Sequence, residues 1–388
     1  MSPRFQRSAL TLLLSASLTA AFAAPPDGGL ADLQASLAGR VVGVDAQALE
    51  VARPAVNSQS TVHALLASPL NANAAVRVAL LNNPELQASL GAESTSITDM
   101  GSSHAPAKLR ARQAITILSA RTYKAWIHAV ASAQAVTLLR EARDTAQTRN
   151  ALARRMVQVG NLSKLTQAQY QAAQSEAGIA VVRAEQAAYA AREQLTQLLG
   201  LSGAQANYRL PAALPGLPES AQEFPDAEAL ALLARTDLAT ARMQWEFKQR
   251  TGNPASADDL WDAMGDAAKV RAQAVKVRSQ AREAYFNYRS AFDIAQHLQT
   301  EVLPLRKFIN DELLLRYNGM LTSVFDVLAD SQVQTQAMQA AVSAQRDFWL
   351  AHADLQAVLA GAPLDALDTN PGSAEGNSAP SGTSTVAH

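Results

Sequence analysis

The sequence contains no cysteine, few aromatic residues and no excess of either charge. Without cysteine among its 388 residues, disulfides, thiolate metal sites and cysteine nucleophiles are excluded. The 6 histidines are scattered without the spacing of metal ligands, so we expect neither a metal site nor a cofactor. Lys+Arg 33 against Asp+Glu 34 gives a net charge of −1, which argues against a nucleic-acid partner. No phosphate loop or nucleophile motif occurs, and the sequence predicts a protein that is not an enzyme.

The two ends of the chain read as segments outside the folded part. Residues 1–23 have the form of a signal peptide, with a positive start, an apolar stretch and the cleavage pattern Ala21-Phe22-Ala23. Residues 24–64 form an N-terminal extension, and residues 362–388, rich in Gly, Ser and Pro, are predicted to be a disordered tail. No later apolar run approaches the ~20 residues of a membrane helix. We therefore expect an exported protein.

The region between the ends is an internal duplication. Tyr123 and the pair Ala133-Gln134 recur as Tyr285 and Ala295-Gln296, 162 residues later, and Ser163 and Ser323 lie 160 residues apart. The first repeat covers residues 65–207 and the second residues 226–361, with a proline-rich linker at residues 208–225. Two copies of one supersecondary unit are the predicted organisation.

Each repeat is predicted to be a long antiparallel α-helical hairpin. Residues 107–159 contain no Pro or Gly and are rich in strong helix formers. These 53 residues would form a rod of about 80 Å, which is too long for a globular core and requires side-by-side packing. We predict that residues 107–159 pair with 162–199, and residues 267–317 with 321–359. Pro304 is predicted to kink the second long helix or to break its pairing locally.

Several motifs resemble the TolC family, the outer-membrane factors of tripartite efflux pumps, over about residues 65–361. They are the opening helix that ends in Asn83-Pro84-Glu85-Leu86, the two turns Gly160-Asn161-Leu162-Ser163 and Asn318-Gly319-Met320-Leu321, and the close of the first repeat, Leu195 to Gly200. Both turns occur in order, one in each repeat.

This resemblance implies a homotrimer whose subunits contribute to an α-barrel tunnel. It implies partners as well: a periplasmic adaptor protein, docked on the turns, and an inner-membrane pump. The implied function is a duct in the outer membrane or periplasm that passively conducts exported metal ions or small toxic molecules. The alternative is a soluble periplasmic helical scaffold, derived from such a duct, that binds an adaptor and conducts nothing.

The chain departs from the family where the membrane strands should be. Residues 91–106 and 251–265 provide 16 and 15 residues, whereas two spanning strands need about 20 or more. Neither segment alternates apolar and polar residues. We therefore predict strands that are reduced or absent, and short polar connections remote from Gly160 and Gly319. A trimer would then be a tube without its own membrane pore.

The candidate site residues follow from the resemblance. Asp326 stands where the family has an acidic residue after the second turn, and Asp330 follows at i+4 on the same helix face. In a trimer these would form a carboxylate ring at a pore constriction; the alternative is two solvated acids on an exposed face. The candidate adaptor-docking tips are Gly160, Asn161, Leu162, Ser163, Asn318, Gly319 and Leu321, with Gly160 and Gly319 as equivalent helix terminators. The four tryptophans, Trp126, Trp245, Trp261 and Trp349, are predicted to be packing residues.

Overall fold

The protein is almost entirely helical. A computed structural model describes residues 35, 37, 41–43, 59–98, 105–251 and 257–367, and no β-strand occurs within these ranges. The predicted signal peptide, most of the predicted extension and residues 368–388 lie outside them. Among the described residues, no helix is long and apolar enough to cross a membrane.

The first repeat begins with short helices and ends in a long hairpin. Its helices are α1 (Gln59–Leu66), α2 (Ala72–Asn82), α3 (Pro84–Thr98), α4 (Ala105–Gln158) and α5 (Lys164–Leu199). The predicted hairpin of residues 107–159 and 162–199 is confirmed to within two residues at each boundary.

The second repeat has the same order of elements. Its helices are α6 (Ala227–Ala234), α7 (Thr236–Thr251), α8 (Ala257–His297), α9 (Leu303–Asn318) and α10 (Val324–Leu359). The predicted effect of Pro304 is confirmed, because a π-helical turn at Leu298–Val302 separates α8 from α9. The wider turn accommodates the proline, which has no N–H to donate, and the rod continues through it.

The long helices pack side by side in a row. α4 packs against α5 on one side and α10 on the other, and α10 packs in turn against α8 and α9. α5 and the rod formed by α8 and α9 are therefore the two edges of the row. The buried ion pair between Lys124 Nζ of α4 and Asp354 Oδ1 of α10, at 2.8 Å, joins the two repeats in the middle of the row.

In each repeat, the end of the return helix is pressed against a break between two shorter helices. Gly200 ends α5 with φ 65°, and an added Cβ would lie 2.5 Å from the Asn82 carbonyl oxygen at the α2–α3 break. Gly361 follows α10 with φ 100°, and a Cβ there would overlap the Ala234 carbonyl oxygen at the α6–α7 break. The same close approach in both repeats requires glycine twice.

The proline-rich linker crosses the row of rods. The Pro215 carbonyl accepts hydrogen bonds from Gln345 Nε2 at 2.5 Å and Trp349 Nε1 at 3.0 Å, both on α10. The Gln222 backbone N–H donates to Tyr288 Oη of α8 at 2.9 Å. The linker is thus fastened to two rods along its length.

Two expectations about connecting segments need correction. Residues 91–98 and 257–265, predicted to lie in short polar connections, are helical and extend α3 and α8; only residues 99–104 and 252–256 between them lie outside the described part. Residues 362–367, assigned to the disordered tail, are folded, with Ala362 and Leu367 fully buried in the core. Helix pairing continues through a polar sequence because the adjoining helices α4 and α7 supply packing surfaces for α3 and α8.

Candidate functional site

The first turn joins α4 to α5 through a Schellman-type helix end. The Asn161 N–H donates to the Met156 carbonyl at 2.8 Å, and the Gly160 N–H donates to the Val157 carbonyl at 3.1 Å. Gly160 has φ 78°, the left-handed conformation that this motif needs. Ser163 then begins the next helix, because its Oγ accepts from the Thr166 N–H at 3.0 Å.

The second turn repeats this geometry with a different residue in the left-handed position. The Leu321 N–H donates to the Arg316 carbonyl at 2.8 Å, and the Met320 N–H donates to the Tyr317 carbonyl at 2.9 Å. Met320 has φ 58°, whereas Gly319 has φ −81°. The structural equivalent of Gly160 is therefore Met320, and the predicted equivalence of Gly160 with Gly319 is wrong by one residue.

The two turns lie at the same end of the row and expose apolar side chains. Met320 is 94% and Leu321 80% exposed, and Val159 and Leu165 beside the first turn are exposed as well. Leu162 is half-buried, while Asn161, Ser163 and Asn318 are exposed. Sequence reasoning missed Val159, Leu165 and Met320, which could have been found as apolar residues next to a polar turn.

Asp326 has a local structural function. Its Oδ2 accepts from Thr322 Oγ1 at 2.8 Å, the Ser323 N–H at 3.0 Å and Ser323 Oγ at 2.9 Å, which completes a capping box at the start of α10. These bonds, the one from Thr322 first, hold the pKa of Asp326 below its ordinary value, so the carboxylate is charged at neutral pH. In the first repeat Thr166 occupies this position and bonds to Ser163.

Asp330 lies one turn further along α10. It is half-buried, and its Oδ2 accepts from Asn310 Nδ2 of α9 at 3.0 Å. Within one chain, the two candidate constriction carboxylates therefore both stabilise the second hairpin. Their charges remain at the end of the rods where the turns lie.

A cluster near the turns connects the two hairpins. The rings of Tyr170 on α5 and Phe325 on α10 stack at 5.4 Å between centroids, and the Arg149 guanidinium lies 5.6 Å from the Tyr170 ring centre. Arg149 Nη1 donates to Gln332 Oε1 at 3.1 Å. Arg149 is only 8% exposed, and burial lowers the pKa of its guanidinium. This cluster was not identified from the sequence, because its members are far apart along the chain.

Metal chemistry finds no support in the part of the chain that the structure describes. No group of three or more His, Asp or Glu side chains is placed to hold a metal ion among the described residues. The arrangement is one of long rods, two exposed turns and carboxylates beside them.

Comparison with known proteins shows similarity in fold rather than in sequence. No family model and no curated protein matches the sequence. A crystal structure of CusC, described for the conformational changes accompanying folding and transmembrane channel formation, matches with a TM-score of 0.56. Its identity to this chain is 13%, over 79% of this chain and 96% of that one.

Two further channels give similar values. The outer-membrane channel OprN matches with a TM-score of 0.52 and 15% identity, over 76% of this chain and 74% of its own. The outer membrane protein VceC of Vibrio cholerae matches with a TM-score of 0.52 and 14% identity, over 71% and 76%. Similarity at this level establishes the fold: the protein has the long-helix fold of the TolC-like outer-membrane channels.

Proposed function

We propose that copies of this chain associate edge to edge into a helical tube, which serves as the outer duct of a tripartite efflux system. The observation that carries this proposal is the apolar surface on both edge helices of the row. On α5 the exposed apolar side chains are Leu165, Ile179, Val182 and Tyr189; on α8 and α9 they are Val275, Phe286, Ile294, Leu305, Phe308 and Leu315.

An open row of helices with two apolar edges is covered by its own copies. If the α5 edge of one copy packs against the α8–α9 edge of the next, the contact is head to tail and closes into a ring. A homotrimer is the ring size that the family resemblance implies. Such a ring encloses a channel along the rods, through which exported metal ions or small toxic molecules would pass without chemistry.

The duct would lie in the outer membrane or periplasm, with the two turns facing a periplasmic adaptor and, through it, an inner-membrane pump. The similarity in fold to outer-membrane channels supports this placement. Asp326 and Asp330 of each copy would form the carboxylate ring near the turns, favouring cations there. The exposed apolar residues of the turns, Met320 and Leu321, would provide the docking surface.

A mixing experiment tests the head-to-tail contact. Val182→Glu damages only the α5 edge, and Phe286→Glu damages only the α8–α9 edge, so each variant alone should be monomeric in sedimentation. An equimolar mixture should form dimers, because the intact edge of each variant fits the intact edge of the other. Leu233→Glu, on the short helix α6, is the control and should leave the wild-type trimer unchanged. A wild-type monomer, or a mixture that stays monomeric, would contradict the proposal.

The scaffold alternative predicts a different location and no conductance. It is favoured by the helical course of residues 91–98 and 257–265, where the family has membrane strands. Fractionation of cells and recording from planar bilayers separate the two. A duct remains with outer membranes and gives steady conductance steps of one size, whereas a scaffold is released with the periplasm and gives none.

A further inference from the structure

The end of the rods remote from the turns carries an exposed apolar group on α7 and α8. Phe247 is 63%, Leu260 63%, Trp261 66% and Met264 54% exposed. We call these four residues the apex patch. Trp261 therefore does not have the packing function that the sequence suggested, whereas Trp126 is buried and donates to the Leu70 carbonyl at 2.7 Å.

The apex patch is held on a braced hairpin. Lys248 Nζ of α7 donates to Asp266 Oδ2 of α8 at 2.6 Å, and Lys269 Nζ donates to Asp266 Oδ1 at 3.0 Å. Below this bridge, a groove of about 310 Å³ between α7 and α8 is lined by Trp245 and Val270, among others. The apolar surface thus continues from the patch into the groove, and its position relative to the rods is fixed.

A neighbouring copy in a tube does not reach the apex patch. Copies related by rotation about the tube axis lie at equal height. The 36-residue α5 extends about 54 Å from the turns, and the 15-residue α3 adds about 22 Å. Trp261 precedes Gly319 by 58 residues, which places it about 87 Å from the turns. The patch therefore projects roughly 10 Å beyond the α3 helix of the next copy.

The size and charge of the apex patch fit a lipid surface better than a protein partner. Its four side chains present on the order of 400 Å² of apolar surface, about half of what each partner in a stable protein interface buries. Charges of both signs surround it, with Glu246 and Asp262 against Lys248 and Arg250. Such a mixture complements headgroups that carry a cation and a phosphate, and an exposed Trp with neighbouring aliphatic residues is typical of interfacial insertion.

We propose that the apex patch inserts into the headgroup region of a zwitterionic phospholipid bilayer. The contact would attach the end of the rods to a membrane surface without spanning it. This inference does not rest on the proposed duct, because a monomeric scaffold would present the same patch.

Site-specific labelling tests the inference, since the chain has no cysteine of its own. Leu260→Cys carries a nitrobenzoxadiazole dye at the patch, and Leu321→Cys carries it at the opposite end as the matched control; both positions are exposed. With phosphatidylcholine vesicles, the emission of the dye at residue 260 should rise and shift to the blue, while that at residue 321 should not change. Adding Trp261→Ser and Met264→Ser to the first variant should weaken vesicle binding at least about tenfold.

Two results would overturn the inference. One is a dye at residue 260 that does not respond to vesicles while the circular dichroism shows an intact helical fold. The other is a change in its emission without vesicles that follows protein concentration and oligomer formation, since the patch would then be an interface between copies. Either result leaves the edge-mixing experiment on the duct unaffected, so the two proposals can fail separately.

Discussion

Met320 is the one described non-glycine residue with a left-handed backbone conformation, at φ 58°. For an L-residue this conformation costs about 1–2 kcal/mol, because Cβ approaches the following carbonyl. Its side chain is 94% exposed, so no buried contact within the chain offsets that cost. A strained, exposed methionine at a turn is easier to explain by an external contact than by folding.

Met320→Gly should therefore stabilise the chain by about 0.5–1 kcal/mol, the relief of strain less the greater entropy that glycine loses on folding. Urea unfolding followed by circular dichroism measures it. Gly160→Ala, at φ 78° in the equivalent position, should destabilise by about 1–2 kcal/mol. Gly319→Ala, at φ −81°, should cost little. Equal effects at positions 160 and 319 would contradict the assignment of Met320 to the left-handed position.

At the scale of elements, the two glycines that end α5 and α10 determine how the short helices meet the long ones. Around Gly200, Asn82 Nδ2 donates to the Gly200 carbonyl at 2.7 Å and Asn83 Nδ2 donates to the Leu198 carbonyl at 2.9 Å. In the second repeat, the fully buried Arg235 donates through Nε to Asp237 at 2.9 Å and through Nη1 to the Ala362 carbonyl at 3.4 Å. Different side chains thus satisfy the backbone at equivalent junctions.

Gly200→Ala and Gly361→Ala should each destabilise the protein by about 2–4 kcal/mol, since a Cβ adds both backbone strain and overlap with a carbonyl. Gly178→Ala is the control: Gly178 lies inside α5 with open space around its Cα, so alanine should stabilise by about 0.5–1 kcal/mol. Thermal unfolding of the three variants measures the difference. A tolerated alanine at Gly361 would show that the α6–α7 break is not packed as described.

At the scale of the whole molecule, the two turns reach the same end because α4 and α10 pack along their length. The cluster of Arg149, Tyr170 and Phe325 joins the hairpins close to that end. One chain therefore presents two equivalent turns together. If these turns dock an adaptor, both contribute to one surface.

Leu162→Asp and Leu321→Asp should each abolish efflux in cells that contain the adaptor and pump, because a charge is placed in the apolar docking surface. The helical circular dichroism and the oligomeric state should not change. Leu233→Asp, an exposed position on α6, is the control and should retain activity. Full activity in both turn variants would mean that docking takes place elsewhere on the molecule.

Much of the helical architecture could be predicted from the sequence, because it depends on local features. The absence of Pro and Gly over residues 107–159, the composition and the breaks at Gly160 and Asn318 determine where the rods run and end. Serines 160 residues apart both begin helices, as the duplication predicted. The effect of Pro304 is also local, since it arises from one missing N–H.

Only the tertiary structure decided features that depend on contacts between distant parts of the chain. The polar residues 91–98 and 257–265 are helical because neighbouring helices pack against them, and residues 362–367 are ordered because Leu367 enters the core of the first repeat. Arg149 reaches Tyr170 and Gln332 only after the hairpins pack, and Trp261 is exposed because no described rod extends to its level. The sequence by itself determined local helix formation, whose signals lie within a few turns; packing determined which faces are buried and which remain for partners.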